Sequence, residues 1–285
     1  MRKQTFQGRL FQLPIFQILL AAALAAPLAS CKTVRTTEGG AVGVDRQQTM
    51  SALVSARQLE QGAQTAYKQE LSKANQKGQL NRDGAQTTRV RAIAQRLIPH
   101  TGVFRNDAPG WAWEVNVINS AEVNAWCMPG GKIAVYAGLI QKLNATDDEI
   151  AAVMGHEIAH ALREHARERA SQQMTSGILA TGASIALGGG QGAADMAGMV
   201  ANLTYNLPNS RLHETEADRM GVELAARAGF DPRAAVSLWQ KMQKVAGGGP
   251  PQWLSTHPSS DTRIRDLTDY SARVMPLFEV ARRKS

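Results

Sequence analysis

The segment His156-Glu157-Ile158-Ala159-His160 sets two imidazoles four residues apart with a carboxylate beside the first. On a helix, residues four apart share one face, a turn from each other. Both rings can therefore meet one Zn2+, whose nitrogen ligands lie at about 2.0–2.1 Å. Glu157 need not bind metal. It can take a proton from an attacking water and deliver it to a leaving amine. Ala151, Ala152, Val153, Ile158, Ala159 and Ala161 make the segment apolar around these groups. Burying two histidines and a glutamate without a partner is costly, which argues for a bound ion rather than chance spacing.

A third ligand must come from elsewhere in the chain. The metzincin extension needs Gly and His where this chain has Arg163 and Ala166, so that class is excluded. The segment His213-Glu214-Thr215-Glu216-Ala217-Asp218 offers carboxylates at helical spacing. Glu214 and Asp218 share a face and Glu216 points elsewhere. Glu214 can complete the metal site while Asp218 accepts the other ring N–H of a ligand histidine, most simply His156. Glu216 and His213 are the competing ligands. His165 lies five residues after His160, off the face shared by the two motif histidines, and reads as a non-ligand. His100 has no partner in the sequence.

Helices must position these groups. Apolar spacing predicts helices over 47–76, 83–98, 151–170 and 212–228, another beginning at Asp231-Pro232, and a last one from Pro258. Thr146 or Asp147 can cap the motif helix. Trp111, Trp113, Val115 and Val117 alternate as a strand would. Pro129-Gly130-Gly131 followed by Lys132–Tyr136 predicts a β-hairpin. The fold class is α+β, mainly α-helical, with a small antiparallel β-sheet beside the motif helix. Residues 175–204 are apolar but rich in Gly, Ala and Ser, and too interrupted to span a bilayer, so a helical hairpin or lid is expected there.

The N-terminus reads as a targeting segment. Arg2, Lys3 and Arg9 precede an apolar run, which ends in Leu28-Ala29-Ser30-Cys31. Basic, apolar and small-residue regions in that order predict a signal peptide over 1–30. The final four residues resemble a bacterial lipobox, in which the Cys carries lipid, so Cys31 is expected to anchor the chain in the membrane. Lys32, rather than Asp, follows the Cys and favours the outer membrane. Residues 31–46 read as a lipidated tether, 47–275 as the catalytic domain and 276–285 as a basic tail. With Cys31 lipidated, Cys127 has no disulfide partner and reads as a packed residue.

The whole constellation resembles the gluzincin zinc metallopeptidases of peptidase family M48, the family of HtpX and the CAAX prenyl proteases. The matching pieces are Asn124-Ala125 with Pro129-Gly130-Gly131, Gly138-Leu139-Ile140, His156–His160, Ser210-Arg211, Glu214 with Ala217-Asp218-Arg219, and Thr256-His257-Pro258 with Arg263-Ile264. The layout resembles that of a periplasmic lipoprotein branch, with LoiP and YcaL. The resemblance implies that the strand Ile133, Ala134, Val135 and Tyr136 is an edge that holds an extended substrate by main-chain bonds. It implies that His257 lies at the active site, as an oxyanion donor or as a fourth, silencing zinc ligand. Arg263 is then either a ligand for the tetrahedral intermediate or a structural ion pair.

Of 285 residues, 44% are hydrophobic and 20% charged, which excludes a mostly disordered chain. A net charge of +8 could suggest nucleic acid. No recognition motif or dense basic block supports that, and an anionic lipid surface is the simpler partner. The resulting expectation is an endopeptidase with one Zn2+ per chain, lipid-anchored on the periplasmic face of the outer membrane. Its substrates would be unfolded or misassembled envelope proteins. The alternative is a chaperone-like lipoprotein with a closed, structural zinc site. No feature of the sequence sets an oligomeric state.

Overall fold

The computed structural model describes residues 31–175, 192–245, 252–258 and 260–283. The signal peptide expected over 1–30 and the Gly-rich part of the expected lid, 176–191, lie outside the described residues.

Strand β1 (Cys31–Val34) pairs antiparallel with β2 (Gln48–Ser51). The segment expected to be a tether over 31–46 is instead a strap laid on the domain. Val42 and Val44 are buried in the main core, and the Val42 N–H donates to Glu223 Oε2 at 3.0 Å. Gly40 and Gly43, at φ +60° and +71°, allow the chain to double back. Polar, Gly-bearing composition signals a tether, but here two valines and one buried carboxylate pin the segment down. β2 also replaces the first turn of the helix expected from residue 47.

Helix α1 (Ala56–Gln76) starts at a Ser55 and Gln58 capping box, and α2 (Gly84–Leu97) at an Asp83 cap. Strands β3 (Glu114–Ile118), β4 (Ala125–Met128) and β5 (Lys132–Tyr136) form one sheet in the order β3-β5-β4. The β4–β5 hairpin is antiparallel as its turn residues imply, whereas β3 runs parallel to β5, so the sheet is mixed. The reason is topological: β3 reaches the far side of β5, and β4 must reverse to form the hairpin. Both faces are covered. Ala125, Cys127, Ile133 and Val135 face the main core, while Trp126, Met128 and Ala134 face a second core under α1.

Helix α3 (Ala137–Lys142) follows, then α4 (Asp147–Leu162), which carries the histidine motif. Thr146 and Glu149 form its capping box, and every residue from Glu149 to Leu162 is buried. Around it lie α5 (His165–Thr175), α6 (Gly192–Ala201), α7 (Arg211–Arg227), α8 (Ala234–Val245), α9 (Gln252–Thr256) and α10 (Asp261–Arg282). The described part of the expected lid is the packed helix α6. Its Met196 lies where a Cβ on Gly62 of α1 would fall, 2.5 Å away. The described part of the expected basic tail, 276–283, continues α10, held by Val274 and Phe278, which are buried four residues apart. Among the described residues, no helix is long and apolar enough to cross a membrane.

Candidate metal centre and active site

Helices α4 and α7 bring the site together. Gly155 and Gly221 face each other where the helices meet, close enough that a Cβ on Gly155 would lie 2.8 Å from the Gly221 carbonyl oxygen. That approach sets His156 and His160 against Glu214. His156 Nε2 and His160 Nε2 are 3.0 Å apart. Glu214 Oε1 is 3.3 Å from His160 Nε2, and Glu214 Oε2 is 3.6 Å from His156 Nε2. Tetrahedral donors around an ion bound at 2.0–2.1 Å would be about 3.3 Å apart. The observed separations bracket that value.

Glu214 supplies an independent test of fit. It is 1% exposed, and among the described residues no donor bonds its Oε1. Its Oε2 is held by Arg263 Nη1 at 2.7 Å. A buried polar group left without a hydrogen bond costs about 1–3 kcal/mol, and more when charged. A divalent cation at the two ring nitrogens would satisfy Oε1. The donor set of two imidazoles and a carboxylate suits Zn2+.

The remaining contacts orient this set. His156 Nδ1 donates to Asp218 Oδ1 at 2.9 Å, which leaves its Nε2 lone pair facing the cluster. Arg263 grips Asp218 with Nε and Nη2, each at 2.7 Å, and stacks on the Trp239 ring. Burial alone would raise the Asp218 carboxyl, but Arg263 and then His156 outweigh it and hold it at about 2. The donors of Arg263 are thus committed to Asp218, Glu214 and the Pro258 carbonyl.

Glu157 points to the other side of the cluster. Trp253 Nε1–H donates to its Oε1 at 2.7 Å, and His257 Nε2 lies 3.4 Å from the same oxygen. Burial pushes the Glu157 carboxyl up to about 7, against the pull of His156 and the Trp253 hydrogen bond. A buried carboxyl so placed suits proton exchange near neutrality. His257 joins His156, His160 and Glu214 in a group of four whose potential ligand atoms all lie within 4.8 Å of one another.

The structure therefore brings together His156, Glu157, His160, Glu214, Asp218, His257 and Arg263. It separates the two competing ligands from the cluster: Glu216 bonds Arg46, Arg163 and His165, and His213 bonds Glu168. Ile133, Ala134, Val135 and Tyr136 form β5, which is not an edge. This corrects the expected substrate strand, because β5 has a neighbour on each side and its main-chain groups are used. The cleft onto the cluster is lined instead by Cys127 of β4, with Pro129, Glu157, His160, Leu203 and His257. Trp253 escaped the sequence reading. Its signal was an aromatic residue four before His257, on which it stacks with centroids 4.7 Å apart.

Comparison with known proteins follows the same motifs. The profile of peptidase family M48 matches residues 84–271. The chain is 38% identical over 158 residues to the mitochondrial metalloendopeptidase OMA1 of Arabidopsis thaliana, covering 55% of this chain and 31% of that protein. It is 33% identical over 227 residues to the mitochondrial metalloendopeptidase OMA1 of Schizosaccharomyces pombe, covering 78% and 63%. It is 28% identical over 207 residues to the beta-barrel assembly-enhancing protease of Escherichia coli (strain K12), covering 70% and 41%. The matched stretches thus span less than two thirds of the length of each of these relatives.

Proposed function

The chain belongs to peptidase family M48, and from that premise we propose that it is a zinc-dependent metalloendopeptidase. His156, His160 and Glu214 would hold one Zn2+ per chain. The observation that carries this reading is Glu214, a buried carboxylate whose Oε1 is left without a donor, turned toward two ring nitrogens at 3.3 and 3.6 Å. Zinc, when bound, supplies Lewis-acid polarisation of a water and of the substrate carbonyl. The chain's own residues do the rest. Glu157 accepts the proton of the attacking water and passes it to the leaving amine. Trp253 holds that carboxylate in place, and Asp218 fixes the tautomer of His156.

Substrate would lie along β4. The Tyr136 N–H bonds the Asn124 carbonyl, so the hydrogen-bonded pairs fall on residues 124, 126 and 128. By alternation, the main-chain groups of Cys127 point away from β5 toward the cleft. An extended peptide added there gains main-chain bonds with little side-chain preference, which suits unfolded chains. Proteins unfolded or misassembled in a bacterial envelope are the proposed substrates. The similarity to a beta-barrel assembly-enhancing protease supports that choice. Cys31, after Leu28-Ala29-Ser30, is the proposed lipid-bearing residue, with the domain on the periplasmic face of the outer membrane as in the lipoprotein branch.

One observation favours a second, closed reading. His257 Nδ1 lies 3.1 Å from the Trp253 carbonyl, to which it can donate, and that leaves Nε2 as a lone pair near the cluster. A histidine so oriented serves as a fourth ligand rather than an oxyanion donor, and a site held in that state is structural. The test is cleavage of unfolded casein by the purified chain and by His257→Ala, each with and without chelator. Chelator-sensitive cleavage that rises in His257→Ala supports a peptidase restrained by His257. No cleavage by either protein supports the closed, chaperone-like reading.

A further inference from the structure

His156 is oriented by a carboxylate in direct contact, whereas His160 has no carboxylate on its Nδ1. That atom lies 2.8 Å from Nδ1 of His165. We propose that His165 is a positioning residue for His160, relaying the charge of Glu216 to it through two successive hydrogen bonds. The inference rests on the reading of His160 as a metal ligand.

The protons in this chain of groups can be counted. A neutral imidazole has one N–H and one acceptor nitrogen, and a carboxylate only accepts. Glu216 receives Arg46 Nε at 2.6 Å and Arg163 Nη2 at 3.0 Å, so it is the acceptor of its network. His165 Nε2 lies 3.0 Å from Glu216 Oε2 and must donate to it. Nδ1 of His165 is then bare. The only way to make a hydrogen bond at 2.8 Å is for His160 Nδ1–H to donate into it. The proton of His160 is thereby placed on Nδ1, and its Nε2 lone pair is turned toward His156 and Glu214. The chain Glu216–His165–His160 does with two bonds what Asp218 does for His156 with one.

The relay is held rigidly. Its ring plane is set by His213, stacked on His165 with centroids 4.2 Å apart and 12° between planes. His213 Nε2 bonds Glu168 Oε2 at 3.0 Å, and Arg46 of the strap bridges Glu168 and Glu216. Glu164, at φ +51°, ends α4 in the left-handed region and turns His165 back toward His160. Ion pairs to Arg105 and Arg167 hold Glu164 in that conformation.

The experiment measures zinc affinity of the full chain by competition with a chelator, together with melting of the metal-free proteins. His165→Leu, which can neither accept nor donate, is expected to bind zinc about 10- to 100-fold more weakly. His165→Gln, which keeps an acceptor toward His160 and a donor toward Glu216, is expected to restore most of that loss. Wild-type affinity in a folded His165→Leu overturns the relay and leaves the metal site standing. A wild-type chain that takes up no zinc overturns the ligand reading and the relay with it. Should His165→Leu fail to fold, nitrogen-15 spectra of the zinc-loaded wild type decide the matter. The relay requires Nε2–H on His165 and Nδ1–H on His160, and Nδ1–H on His165 contradicts it.

Discussion

Gly155 and Gly221 meet backbone to backbone across the α4–α7 contact, and a Cβ added to Gly221 would lie 2.8 Å from the His156 amide nitrogen. The glycine pair sets how closely the two ligand-bearing helices approach. Gly221→Ala is therefore expected to push them apart, with a loss of about 1–3 kcal/mol in stability, as for an overpacked core. Thermal melting and zinc content check this, both falling. Gly198→Ala on α6, where nothing lies within 4 Å of the added Cβ, is the control and leaves both unchanged or slightly improved.

The indole N–H of Trp253 donates to Glu157 Oε1 at 2.7 Å. Trp253→Phe keeps the stacking on His257 and removes that bond. The bond favours the ionised carboxylate, so its loss raises the pKa of the base. The acid limb of the kcat/KM profile for a peptide substrate should move to higher pH. The loss should appear in kcat more than in KM, since no substrate contact is removed.

The strap predicts an acid-labile part of stability. Burial would raise Glu168, but bonds from Arg46, His213 and Gln48 outweigh it and hold the group well below the usual carboxylate range. A carboxyl lowered in the folded state stabilises above its unfolded pKa of about 4.3, and that contribution is lost as pH falls through and below it. The exchange protection of residues 31–51, taken relative to the intrinsic amide rate, should fall from about pH 5 downward. In Glu168→Gln the strap should be weak at neutral pH and lack this dependence. A strap equally protected at pH 3 and pH 7 would contradict the assignment.

The motif helix, its Thr146 cap and the pairing of Glu214 with Asp218 were legible because helical spacing alone puts those groups on common faces. The pieces that escaped depend on contacts distant in the chain. β3 alternates correctly, yet nothing in its residues states that it pairs parallel to β5 and so removes β5 from the edge. His165 is off the His156–His160 face of a continuous helix, but the left-handed turn at Glu164 breaks that helix and returns the ring to His160. Arg46 sits in a stretch whose composition resembles a linker. Its value lies in two carboxylates more than a hundred residues away.

The proposed activity requires that this cluster bind zinc and that Glu157 move the proton in peptide hydrolysis. The most direct measurement pairs metal content with casein cleavage for the wild-type chain and Glu157→Gln. One zinc per chain is expected in both proteins, with cleavage in the wild type alone. A Glu157→Gln variant that cleaves at the wild-type rate, or a wild-type chain that takes up no zinc, would contradict it.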